Sequence, residues 1–163
     1  MKKTLLLMLL ALSSTAAMAQ WSYDGGYETK RHCFGIELGV GGTGDTSVDF
    51  GLRWQANLHE NFAWDVLTLK AVADVENDFT ESITPELLTG LRVISPDFSG
   101  LTAYLNARFG YAYNIDASEG GFAYELGAGV NVTRNIYIGY AFNQFKIDEA
   151  KVKYHAFRIG FLF

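Results

Sequence analysis

Beyond roughly its first thirty residues the chain alternates apolar and polar side chains with a period of two. That spacing marks strands whose two faces meet different surroundings. Phe34, Ile36, Leu38 and Val40 share one phase, against Gly35, Glu37, Gly39 and Gly41. Val48, Phe50, Leu52, Trp54 and Ala56 follow, against Asp49, Gly51, Arg53, Gln55 and Asn57. A third run opens with Phe62, Trp64 and Val66 against Asp65, then loses phase, because Leu67 and Leu69 stand opposite Lys70; a β-bulge restores the pattern. Five more runs begin near Ile83, Ala103, Phe122, Ile138 and Tyr154, the last ending in Phe157, Ile159, Phe161 and Phe163. Each covers about ten residues, the length a tilted strand needs to cross a hydrocarbon layer.

The connectors alternate in kind. His59 to Asn61, Ser95 to Gly100 and Thr133 to Asn135 read as short turns. Gly42 to Thr46 reads as a tight Gly-rich loop, and Asp74 to Ser82, Asn114 to Gly121 and Asp148 to Lys151 as acidic loops. Short turns at one end and polar loops at the other predict an all-β, closed, eight-stranded antiparallel up-and-down transmembrane barrel. An even strand count brings the chain back to the turn end, so both termini are expected in the periplasm and the loops outside the cell.

Which face points inward follows from space. Eight strands enclose an interior only just wide enough to be filled by side chains. The bulky Phe, Tyr, Leu, Ile and Val phase does not fit there, whereas the Gly-rich polar phase does. The polar phase also balances in charge: Glu37, Asp49, Glu86 and Glu125 stand against Arg53, Arg92, Arg108 and Arg158. Charges removed from water must be paired, so these eight residues are expected to form an interior network. A first hairpin centred near Asp45 sets Glu37 opposite Arg53. A hairpin centred between Asp116 and Ala117 sets Arg108 opposite Glu125. Two clusters are therefore predicted: Glu37 with Arg53 and Arg158, and Arg108 between Glu125 and Glu86.

The start of the chain reads differently. Lys2 and Lys3 precede an apolar stretch from Leu5 to Leu12, and Ala17-Met18-Ala19 is a small-x-small cleavage signal. The expected layout is a signal peptide over 1–19, a short periplasmic segment over 20–33 and the barrel over 34–163, with no further domain. The 163 residues carry 13 Lys+Arg against 18 Asp+Glu, and loss of the leader removes two of the lysines. That balance argues against nucleic-acid binding. The single cysteine, Cys33, leaves no internal disulfide to form.

Catalytic or cofactor chemistry finds little support. Gly39 to Gly44 matches G-x-G-x-x-G, but strand-spaced Val48, Phe50, Leu52 and Trp54 follow where a dinucleotide site needs a helix. His32, His59 and His155 form no constellation with a nucleophile. His32 with Cys33 cannot supply a closed metal shell. No enzyme activity, cofactor or resident metal is expected.

The leader, the eight runs and the terminal Phe157-Arg158-Ile159-Gly160-Phe161-Leu162-Phe163 together resemble small eight-stranded bacterial outer-membrane barrels, the group of the OmpA transmembrane domain, OmpX-like and opacity-type proteins. The resemblance covers the mature chain and is architectural. It implies that Phe157, Ile159, Phe161 and Phe163 form a signal for the outer-membrane assembly machinery, although the glycine usual earlier in that signal stands here at Gly160. It also implies a monomer in contact with outer-membrane lipid and lipopolysaccharide. Its expected role lies in envelope structure or surface interaction; a narrow pore or a lipid-modifying enzyme are the alternatives.

Overall fold

The computed structural model describes residues 31–42, 46–74, 83–115, 118–147 and 150–163. The leader, most of the N-terminal segment and the centres of three loop-end connections lie outside these, as do Asp116 and Ala117 in the fourth. Eight strands follow one another: β1 (His32–Gly42), β2 (Thr46–His59), β3 (Phe62–Asp74), β4 (Ile83–Ile94), β5 (Thr102–Asn114), β6 (Glu119–Asn131), β7 (Ile136–Ile147) and β8 (Ala150–Leu162). Each pairs antiparallel with the next, and β8 pairs with β1 to close the barrel. At the turn end the seam is finished by Phe163, whose N–H donates to the Phe34 carbonyl at 2.7 Å. The barrel begins at His32, two residues ahead of the expected boundary, because His32 and Cys33 continue the ladder opposite Ala56 and Gln55.

The apolar phase points outward on every strand. Leu105 is 64% exposed, Phe122 60%, Leu91 57% and Phe157 76%. A water-soluble protein does not present so much contiguous hydrocarbon, whereas a lipid-embedded wall requires it. Polar groups on this wall are satisfied locally, as lipid demands. The Trp64 indole N–H donates to Thr89 Oγ1 at 3.1 Å, and the Tyr124 hydroxyl donates to Gln144 Oε1 at 3.1 Å.

The bulge expected in the third run lies between Asp65 and Thr68. Val66 and Leu67 both face away from the lumen there, and Asp65, Thr68 and Lys70 are all turned into it. The backbone carbonyl of Asp65, displaced from the regular ladder, accepts from the Thr89 hydroxyl at 2.9 Å. At the β4–β5 turn, Ser99 and Gly100 take φ of 58° and 87°, and Phe98 and Leu101 pair around them. This is the two-residue hairpin geometry with both central residues left-handed, which matches the twist of paired strands.

The first hairpin differs from expectation. Gly35 lies opposite Arg53 and Glu37 opposite Gly51, so the hairpin is centred on Gly44, not Asp45. A shift of two residues keeps every side chain on its own face, so alternation cannot detect it. Packing decides instead. Asp49 lies opposite Gly39, where any side chain would overlap its carboxylate, and Gly51 leaves space beside Glu37. The β5–β6 register is as expected, with Arg108 opposite Glu125.

Candidate functional site

The lumen is where the sequence concentrates its chemistry. All eight predicted network residues are buried in it: Glu37, Asp49, Arg53, Glu86, Arg92, Arg108, Glu125 and Arg158. Asp65 and Lys70, brought into phase by the bulge, join them. Among the described residues the interior therefore holds five carboxylates and five cations.

Arg108 is the hub. Its Nη1 and Nη2 grip both oxygens of Glu37 at 2.9 and 2.7 Å, its Nε donates to Asp65 at 2.7 Å, and Nη1 also reaches Glu125 at 2.9 Å. A planar guanidinium with five N–H donors can serve three carboxylates in this way, and an ammonium cannot. Arg53 donates from Nε to Asp65 at 2.7 Å and approaches Glu37 at 3.5 Å. Lys70 Nζ stands between Glu86 at 2.8 Å and Glu125 at 2.9 Å. Arg158 links Glu125 at 2.9 Å to Asp49 at 3.0 Å. Neutral donors add to this: Tyr154 donates to Asp49 at 2.8 Å, Asn143 to both Glu86 oxygens at 2.7 and 2.8 Å, and Tyr137 to Glu37.

Three expectations about this network need correction. Arg108 does not bond Glu86; the bulge inserts Lys70 beside Glu86, and Arg108 turns to Glu37 and Asp65 instead. The two predicted clusters are one, because Arg108 and Arg158 each join Glu37 to Glu125. Arg92 forms no ion pair with a described carboxylate. Its guanidinium lies 3.6 Å from the centre of the Tyr104 ring and 4.5 Å from that of Tyr137, where the negative faces of the rings attract it.

Of the apolar lumen residues, sequence reading set Tyr154 and Ala156 on the inward phase with Arg158 and missed Val72, Leu88, Ala112, Ala123 and Phe145. Leu88, Ala112, Ala123 and Phe145 form one small cluster toward the loop end, and Val72, Tyr154 and Ala156 another. Strict alternation gives their phase: Leu88 lies between outward Leu87 and Thr89, and Phe145 is two residues from inward Asn143. Tyr137 is likewise inward, its ring lying over Gly160, where a side chain would collide with it. This is the structural reason for the displaced glycine in the terminal signal.

The remaining candidates are scattered. His32 packs on Trp54 at 6.0 Å, and the Cys33 sulfur accepts from Asn57 at 3.6 Å. His59 accepts the Asn61 N–H within its turn at 3.3 Å. His155 shares a hydrogen bond with the Tyr140 hydroxyl on the outer wall. Gly39 to Gly42 belong to β1, and the next described element is the strand β2. In the terminal signal Phe157, Ile159 and Phe161 all point outward, and Phe163 closes the seam.

Among solved structures, the chain is similar to Neisserial surface protein A (13% identity, TM-score 0.65, covering 80% of this chain and 94% of that one). It is similar to the outer membrane enzyme PagL (11%, 0.57, 80% and 97%) and to the N-terminal β-barrel domain of Pseudomonas aeruginosa OprF (16%, 0.52, 83% and 100%). At these identities the likeness concerns the fold alone. Comparison with curated protein sequences returns no match. A model of the outer membrane protein beta-barrel domain matches residues 4–163. With the closed eight-stranded wall and its outward hydrocarbon face, that match makes the chain a member of the outer membrane protein beta-barrel family.

Proposed function

We propose that this protein is a non-conducting outer-membrane barrel, with its loop end at the cell surface, that acts in envelope structure or surface interaction. The observation carrying this reading is the filled lumen. Among the described residues four of the five buried cations bond all five buried carboxylates across it, with apolar clusters toward the loop end. Water-filled passage would require breaking ion pairs whose members are then left buried and unmatched, at several kcal/mol for each. Among the described residues His155 bonds the Tyr140 hydroxyl and His59 the Asn61 N–H, and neither contact brings a serine or cysteine nucleophile to a base. Purified, folded protein added to planar bilayers is expected to give no discrete conductance steps. Reproducible single-channel openings of the wild type would overturn the reading in favour of a pore. Altered lipid A mass in cells expressing the protein would overturn it in favour of a lipid-modifying enzyme.

A further inference from the structure

Arg92 stands apart in the lumen. Among the described residues the other four buried cations bond the carboxylates, and Arg92, only 1% exposed, does not. Its guanidinium lies against the Tyr104 and Tyr137 rings, and its Nε has no hydrogen-bond partner. Ring faces offset only part of what removing a cation from water costs. Its neighbours across the ladder, Ala63 and Asn106, are neutral. The described carboxylates on the turns at this end, Glu60 and Asp97, are exposed, and Asp97 accepts the Gly100 N–H of its own turn.

Arg92, Tyr104 and Tyr137 all stand within two residues of the turn end of their strands. The mouth beneath them is where the chain enters the barrel. The Arg31 carbonyl accepts the Asn57 N–H at 2.8 Å, Asn57 stands opposite Ala63, and Ala63 opposite Arg92. Arg31 and Arg92 are therefore three strand spacings apart along the wall, about 14 Å, and closer across its curve. Residues 20–30, outside the described residues, lead into Arg31 and contain two carboxylates, Asp24 and Glu28. At about 3.3 Å per extended residue, Glu28 can reach about 10 Å from Arg31 and Asp24 about 23 Å. Between them Gly25-Gly26 is a dipeptide that turns a chain readily.

We propose that residues 20–30 fold back under the turn-end mouth, where a carboxylate of Asp24 or Glu28 pairs with Arg92 and caps the lumen. Charge and tether both select this occupant. The mouth offers a buried cation without an anion, and the segment brings carboxylates at high effective concentration because it is joined to β1. Contact with ring faces uses none of the five N–H donors of a guanidinium, so a carboxylate adds to the tyrosine contacts without replacing them. The pairing holds whichever compartment the turn end faces.

The test uses protein expressed from the full sequence, folded in detergent micelles and labelled with nitrogen-15 arginine. The chain has six arginines, so the Nε–H signals are few, and R92M identifies that of Arg92. In D24N/E28Q the Arg92 signal is expected to move while that of Arg108 stays. The urea midpoint in lipid is expected to fall in D24N/E28Q and in R92M, and in the combined variant to fall no further than in R92M alone. D24N and E28Q taken singly show which carboxylate is the partner. T29A, a neutral change in the same segment, is expected to move neither readout. Heat-modifiable gel mobility confirms that each variant is folded. An unmoved Arg92 signal in D24N/E28Q, a shift confined to Arg31, or additive losses in the combined variant would each overturn the proposal.

Discussion

Single side chains carry unequal weight in this lumen, and their chemistry sets the order. Arg108 holds Glu37, Asp65 and Glu125 at once. Replacing it with methionine leaves three buried carboxylates short of a partner, and a loss of about 3–5 kcal/mol is expected, read as a lower urea midpoint by tryptophan fluorescence in lipid. Arg108→Lys is expected to recover little of this, because one ammonium cannot reproduce the bidentate grip on Glu37. Arg92→Met is expected to cost only about 0.5–2 kcal/mol, since among the described residues it removes contacts with two tyrosine rings and no ion pair. Equal losses at the two positions would contradict the assignment of Arg108 as hub. Gly160 and Tyr137 give a second contrast. Gly160→Ala is expected to destabilise by about 1–3 kcal/mol through overlap with the Tyr137 ring. In a Tyr137→Leu background the same change is expected to cost measurably less, a coupling visible in a double-mutant cycle.

At the scale of strands and turns, alternation carried most of the information. A lipid outside and a narrow polar interior inside impose opposite demands on successive residues, so strand existence and facing were legible from β1 to β8. The phase break at Leu67 was legible too, since Leu69 and Lys70 could not otherwise take opposite sides. What alternation cannot encode is a slip by an even number of residues. The β1–β2 register depends on Asp49 packing over Gly39, a three-dimensional fact with no periodic signature. For the same reason the partner of Glu86 was out of reach: it depends on a bulge that moves Lys70 into the lumen. Deleting Val66 removes the extra residue and leaves β3 strictly alternating, with Asp65, Thr68 and Lys70 still inward and Leu67 and Leu69 outward. Such a variant is expected to keep a heat-modifiable folded band on a gel. Loss of the band would mean that Val66 does more than set the phase of the lumen residues.

For the whole molecule, the central question is how a barrel with a charged interior is stable in hydrocarbon. Among the described lumen residues the cations and carboxylates are equal in number, all but Arg92 are bonded to each other, and their side chains are shielded from solvent. Interactions so enclosed are screened little by mobile ions. Unfolding midpoints in lipid are accordingly expected to change little between about 0.05 and 1 M sodium chloride. A steep salt dependence would indicate that water and ions enter the lumen. The charged filling was only partly legible: four of the five buried cations among the described residues could be listed from phase alone, whereas Lys70 depends on the bulge in β3.

The hub also constrains how the molecule can come into being. Glu37 is contributed by β1, Asp65 by β3, Arg108 by β5, Glu125 by β6 and Arg158 by β8, so the bonds run across the cylinder between distant parts of the chain. A sheet of four or five strands would present these groups unmatched to the membrane interior. Intermediates lacking the last strand are therefore expected to be disfavoured, wall and filling completing each other at closure.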